Sequence, residues 1–408
     1  MLLHKILKST ASASPSGSWE YLLVEADWTG NINYGNFPHL NIADDQLSIV
    51  SYTDLADGNA PLLLSVSNDF GDTWSNISFT YDTPADYGHW YQASSAVSED
   101  IIYGTCFYYH TSWLVPANRK HLFFKTINAG SSFTWTEIPP GTDVSLYGSE
   151  MGISAVDANN VFVFACAANG SSQPYLKFCK STDAGSNWTT ASWGSWPAAS
   201  PKQLDQIDCH ALDTNHVAAV FQRLADVTFT YPYTLTCAYT SDGGANVFSS
   251  TVEAGAVGNS KGFAPIVRWV DSSTIYVTYQ NQDGKQQFAK STNGGASWTL
   301  ITIVDGEGSV DWSGNTSSMY VVDVNNIYVS AYDENTGLVT IYSSSDTGTT
   351  WSTLYTQSID TGIFPFYNSV VVDSGDNIYV AICDLSAYGA LWGEGENWAQ
   401  ALTMIRYY

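Results

Sequence analysis

Short apolar runs alternate with clusters of Asp, Asn, Gly and Ser along the whole chain. Met319–Val322 and Ile327–Ala331 are representative, rich in β-branched and aromatic side chains and flanked by Asp323-Val324-Asn325-Asn326. Runs of this length and composition predict strands, not helices. Seven times a turn carrying Asp or Asn leads into such a run, which opens at Leu47, Ile102, Val161, Val217, Ile275, Ile327 and Ile378. Successive openings lie 51–59 residues apart, a period that marks a repeat architecture. We read the signal as the turn between the first and second strands of each unit.

A second phrase recurs at the same period, each time after an apolar run. Its copies carry Asp69, Gly71 and Trp74; Asn128 and Gly130, with Phe133; Asp183, Gly185 and Trp188; Asp242 and Gly244, with Val247; Asn293, Gly295 and Trp298; and Asp346, Gly348 and Trp351. Each residue type suits a chain reversal. The Asp or Asn oxygen is expected to accept from the backbone N–H two residues on, and the glycine to supply a positive φ. A Ser or Thr adds a local bond, and the aromatic ring returns to the sheet. Six near-equivalent copies argue for structure over catalysis or metal binding.

The phrase resembles the Asp-box of the sialidase-type (BNR) repeat family, S/T-x-D-x-G-x-T/S-W, over residues 38–408. The resemblance implies a turn between the third and fourth strands of a β-propeller blade, and it carries little about activity. Sialidases of that family hold a sugar carboxylate with three arginines, the first ahead of the first box, and use a tyrosine nucleophile paired with a glutamate. This chain has Arg119, Arg223, Arg268 and Arg406, all after the first box. Arg268 lies just before a first-to-second-strand turn, which places it far from the substrate face.

Seven units of four strands make an all-β, seven-bladed propeller, with six blades as the alternative. The seventh unit keeps Gly393 and Trp398 but has no Asp in box register. The run Leu402–Tyr408 reads as a third strand whose outer neighbour is Trp19–Glu25, which would close the ring with both termini; the alternative makes residues 400–408 a fourth strand. Residues 19–408 are thus the propeller, and the Ser/Ala-rich residues 1–18 a tail that anchors to a neighbouring chain.

Composition narrows the partners. Lys+Arg is 14 against Asp+Glu 39, a net charge of −25 that repels nucleic acid and anionic membranes. No cofactor is called for, although the acidity leaves a Ca²⁺ site open beside the simpler reading of a solvated surface. No apolar stretch reaches the length of a membrane span, and Met1–Lys8 lacks the apolar core of a signal peptide. An extracellular or virion surface is the favoured location. The six cysteines form no CxxC, so zinc is not expected; they read as buried thiols, with a Cys166–Cys179 bridge as the other option.

Function is expected on the face opposite the boxes. The residues opening the innermost strands there are His39, Trp90, Glu150, Asp205, Lys261, Asn315 and Asn368. With His89, Trp113, Trp196, Trp312 and Tyr367, they pair aromatic faces with polar groups, a combination suited to sugars or to a protein surface. Glu150, Asp205 and Asp311 are the candidates for paired-carboxylate hydrolysis. No P-loop, HExxH or nucleophile-elbow motif occurs. The leading expectation is a non-catalytic binding module, an adhesin or a virion or appendage surface protein; a sialidase-like glycoside hydrolase is the alternative.

Overall fold

The structure is a computed structural model. It describes residues 19–26, 32–44, 46–55, 62–81, 87–110, 120–139, 151–168, 174–193, 204–224, 233–256, 259–304, 317–333, 338–358, 368–384 and 401–407. The described residues form 28 strands in seven four-stranded antiparallel sheets, with no helix among them.

Blade 1 is β2 (Ile32–Ala43), β3 (Gln46–Leu55), β4 (Leu62–Ser67) and β5 (Ser75–Phe79). Blade 2 is β6 (Tyr87–Ala96), β7 (Ile102–His110), β8 (Lys120–Thr126) and β9 (Thr134–Glu137). Blade 3 is β10 (Met151–Ala155), β11 (Val161–Ala168), β12 (Pro174–Ser181) and β13 (Thr189–Trp193). Blade 4 is β14 (Leu204–Ala211), β15 (Val217–Leu224), β16 (Tyr233–Thr240) and β17 (Phe248–Glu253). Blade 5 is β18 (Lys261–Trp269), β19 (Ile275–Asn281), β20 (Gln286–Ser291) and β21 (Thr299–Val304). Blade 6 is β22 (Ser317–Val321), β23 (Ile327–Asp333), β24 (Leu338–Ser344) and β25 (Ser352–Ser358). Blade 7 is β26 (Asn368–Val372), β27 (Ile378–Asp384), β28 (Ala401–Tyr407) and β1 (Trp19–Ala26).

Seven blades are present, not six. The closure pairs the two ends of the chain: β28 is third in blade 7, and β1 lies antiparallel outside it with Trp19 opposite Tyr407. The tail, residues 1–18, and the degenerate seventh corner around Gly393 and Trp398 lie outside the described residues.

Burial follows strand position. Second strands have neighbours on both faces, and every residue of β19 is buried. Outer strands face solvent, and β21 alternates exposed and half-buried positions. The core is therefore a ring of seams between blades. One seam joins Ala218, Val220 and Leu235 of blade 4 to Val267, Ile275 and Val277 of blade 5. Cys166 packs into the blade 3–blade 4 seam, whereas Cys179 packs against blade 2. The two thiols lie on opposite faces of one sheet and form no bridge.

Innermost strands of neighbouring blades share no backbone ladder. Their exposed N–H groups need partners, and side chains supply them. Ser369 Oγ accepts from Leu40 N (3.0 Å), Asn41 Oδ1 from Ala96 N (3.3 Å) and Ser95 Oγ from Ala155 N (3.1 Å). Ser154 Oγ accepts from Ala211 N (3.0 Å), His210 Nδ1 from Trp269 N (3.1 Å) and Ser318 Oγ from Val370 N (3.1 Å). The junction from β18 to β22 differs: there Ser317 Oγ donates to Ala264 O (3.0 Å).

The six conserved-spacing glycines do more than permit a turn. Gly295 has φ +94, and a Cβ there would lie 2.8 Å from Tyr239 Cδ1 of blade 4. Gly71, Gly130, Gly185, Gly244 and Gly348 likewise back onto a third-strand side chain of the preceding blade, respectively Met404, Leu64, Phe123, Phe178 and Phe288. The ring of Trp188 meets Phe123 edge-on at 5.2 Å, and Trp351 meets Phe288 at the same distance. The neighbouring Gly294 also has a positive φ (+67) but open space around it. Gly295→Ala is expected to lose about 3 kcal/mol through strain and overpacking together, against about 1–2 kcal/mol for Gly294→Ala through strain alone. Urea denaturation of both variants measures the difference.

Candidate functional site

Four antiparallel strands give every blade two ends. First-to-second and third-to-fourth turns share one end; the second-to-third connections and the links between blades share the other, the loop end. The two recurrent sequence signals meet at the turn end through backbone bonds: Ala129 N to Asp100 O (3.1 Å), Ala184 N to Asn159 O (2.9 Å), Gly243 N to Asn215 O (3.0 Å) and Gly294 N to Ser273 O (2.7 Å).

The carboxylates of the turn end are consumed locally. Asp346 Oδ1 accepts from Thr350 N (2.8 Å) and Ser344 Oγ (2.9 Å), and its Oδ2 accepts from Thr350 Oγ1 (2.7 Å). Asp69 repeats the arrangement with Thr73 and Ser67. The bond spans four residues, not the expected two, because the corner holds an extra residue in the left-handed region before its glycine, Phe70 at φ 56 in the first copy. The two-residue bond occurs in the other turn, where Asp157 Oδ1 accepts from Asn159 N (2.7 Å). Asn128 and Asn293 reproduce the corner without charge, each taking Oδ1 to the N–H four residues on, at 3.0 and 2.9 Å.

At the loop end, His39 is half-buried in β2 opposite Val50. His89 and Trp90 lie in β6 opposite Tyr108 and Phe107, and Asp205 is the second residue of β14, opposite Gln222. Asn368 opens β26, buried, and accepts from Ser330 Oγ of blade 6. Glu150, Asp311, Asn315, Trp113, Trp196, Trp312 and Tyr367 lie outside the described residues. Of the expected positions, only those on the inner strands fall among the described residues.

One polar cluster at this end was not anticipated. Lys261, opening β18, pairs with Glu253 Oε1 at 3.2 Å across the blade 4–blade 5 seam. Tyr279 Oη of β19 donates to Glu253 Oε2 at 2.5 Å. Gln222 Nε2 donates to Lys261 O (3.1 Å), and Gln282 Oε1 accepts from Ser260 N (2.8 Å). Tyr279 is buried, and burial, the Glu253 charge and the hydrogen bond all push its O–H up, so it stays protonated. Tyr279 is fully buried in the seam, so its ring offers no surface to a substrate. Sequence reading missed the cluster because its members meet only across a seam.

Two of the described arginines, Arg268 and Arg406, sit away from that cluster. Arg268, the penultimate residue of β18, lies at the turn end and pairs with Asp208 of β14 at 3.1 Å. Arg406, buried in β28, donates from Nη1 to Phe70 O (2.9 Å) and Asp72 Oδ1 (2.7 Å) at the blade 1 corner. Lys125 and Lys290 make the equivalent bonds to the corners of blades 3 and 6, at 2.9 and 3.0 Å. For the two lysines, a basic residue directly before the box Ser or Thr was the available signal; Arg406 precedes Tyr407 and carries no such mark. Among the described residues, no three His, Cys, Asp or Glu side chains are grouped to hold a metal ion.

No protein-family model matches the chain, and no curated protein matches it. Solved structures do. A protein of unknown function from Dyadobacter fermentans aligns with TM-score 0.57 at 12% identity, covering 97% of this chain and 99% of that one. The sialidase of Trypanosoma rangeli, solved with 2,3-difluoro-KDN, aligns with TM-score 0.52 at 10% identity over 96% of this chain. The same sialidase with the inhibitor DANA gives TM-score 0.50 at 10% identity over 92%. The chain spans 58% and 55% of those two sialidase chains. The resemblance to sialidases is one of fold.

Hydrogen bonds from the backbone and side chain of Thr350 pull Asp346 from the ordinary 3.8 down to about 2. The side chain and backbone of Asn187 lower Asp183, and the backbone and side chain of Asn246 lower Asp242. A folded value below the unfolded one contributes stability that is fully present above the unfolded pKa and is lost as pH falls through the folded one. Melting temperature should therefore drop between about pH 4 and pH 2. Replacing Asp183, Asp242 and Asp346 together by Asn should flatten that drop, since Asn128 and Asn293 already hold the corner. Circular-dichroism melts across that range test this; an unchanged acid slope in the triple variant refutes it.

Proposed function

We propose that the protein is a non-catalytic propeller whose loop end binds a glycan or protein ligand. The observation that carries this reading is the burial of the Tyr–Glu pair at the loop end: Tyr279 is fully buried in the blade 4–blade 5 seam and donates to Glu253 Oε2, while Lys261 pairs with Glu253 Oε1. We read this pair as a fastener of the seam between blades 4 and 5, since a buried ring does not meet a sugar. Polar groups at the loop end would supply hydrogen bonds to the ligand, and aromatic residues such as Trp113, Trp196 and Trp312 would supply stacking faces. A ligand held here suits an adhesin or a virion or appendage surface protein on the outside of a cell or particle, with residues 1–18 joining it to a neighbouring chain.

The second reading is a glycoside hydrolase. It is favoured by the fold shared with sialidases and by the place of Asp205 at the loop end of an inner strand. A glycan array followed by hydrolysis assays on each bound glycan separates the two. Binding without turnover is the expected result. Turnover that disappears in Glu150→Gln or Asp205→Asn would establish the hydrolase instead.

A further inference from the structure

The turn end carries a cavity of about 440 Å³ where the inner strands of blades 4, 5 and 6 finish. Its wall includes His210 of β14, Arg268 of β18 and the exposed Val322 and Val324 that follow β22. It lies at the one inner-strand junction that departs from the side-chain-to-backbone pattern of the ring. Ser95, Ser154 and His210 each stand one residue before the end of an inner strand and accept an N–H from the next blade. Arg268 stands at that position in β18. A guanidinium has donors and no acceptor, so it cannot make this bond to β22.

The donors of the wall are unspent. Arg268 uses Nη1 alone, giving to Asp208 Oδ2 (3.1 Å) and Val267 O (2.6 Å). Its Nε and Nη2 have no hydrogen-bond partner among the described residues, which leaves open the planar edge that fits a carboxylate in two parallel bonds. His210 accepts the Trp269 N–H at Nδ1 (3.1 Å). Burial, with Arg268 nearby, holds this imidazole down at about 3. The ring is therefore neutral at neutral pH with its proton on Nε2, a second donor. The valines supply an apolar wall, which a simple inorganic anion would not use. The rim is acidic: Asp271 and Asp323 line the cavity, their carboxylates taken up by their own turns. Arg268 already pairs with Asp208, so this field disfavours multiply charged anions most, and a single carboxylate is held through the free donors of the fork.

We propose that this cavity binds a monocarboxylate with a compact branched or cyclic apolar body, its carboxylate taken by Arg268 Nε and Nη2 with His210 Nε2 assisting and its body against Val322 and Val324. The site is on the face opposite the loop end, so it stands or falls independently of the glycan or protein reading.

Calorimetric titration of the full chain with 3-methylbutanoate and benzoate tests it, beside the uncharged 3-methylbutanamide and inorganic phosphate. Both carboxylates should bind, with the amide and phosphate at least about tenfold weaker. Arg268→Lys keeps a cation beside the buried Asp208 but removes the fork, and should weaken carboxylate binding by about tenfold or more. Val322→Glu, at a side chain 44% exposed, should abolish binding with an unchanged melting temperature. Amide or phosphate bound as tightly as the carboxylates, carboxylate affinity indifferent to Val322→Glu, or no carboxylate binding at millimolar concentration would each overturn the proposal.

Discussion

Innermost strands in a ring of separate sheets cannot satisfy one another through a backbone ladder, and this constraint shapes the whole molecule. Every inner strand turns one edge towards a neighbour with which it exchanges no sheet hydrogen bonds. Ser95, Ser154, Ser318 and Ser369, with Asn41 and His210, reach across and cap those edges. The blades are thereby indexed to one another at the channel by short polar side chains, while the apolar seams farther out supply the bulk of the attraction.

The turn end repeats the logic on the outside of the ring. A corner closed by Asp or Asn presents a glycine to the third strand of the preceding blade, and no side chain fits between. A lysine or arginine of that third strand then ties down a corner carbonyl, as Lys125, Lys290 and Arg406 do. Three of the chain's 14 basic residues are spent in this way. An acidic protein with 14 basic residues thus uses several of them as internal fasteners, which leaves its outer surface more uniformly negative than composition alone suggests.

Blade number and strand order were legible because their causes are local, and the pairing of β1 with β28 followed from a seventh unit that lacks its own outer strand. Asp157 meets Asn159, and Asp346 meets Thr350, so a spacing in the sequence is already a geometry. Relations between blades were not legible. Arg406 reaches Asp72 over 334 positions, and Ser369 reaches Leu40 over 329. Nothing near Glu253 announces that Tyr279 and Lys261 will surround it, since each belongs to a strand whose neighbours are set by ring closure. The inner-strand positions of the candidate site could be read from the repeat, whereas the chemistry gathered around them depends on which side chains the adjoining blade contributes. Arg268 illustrates the gap: its distance from the loop end followed from its place before a turn, but the partner, Asp208, comes from another blade.

The arrangement of blade 7 bears on how the chain reaches this state. β1, made before the other described strands, hydrogen-bonds to β28, made after them. During synthesis β1 must wait, unpaired, while six complete sheets form behind it, and residues 401–407 have to leave the ribosome before it has a place to dock. Until then the growing molecule is an arc with two apolar flanks, the hazard that unpaired edges pose to slow-forming β proteins.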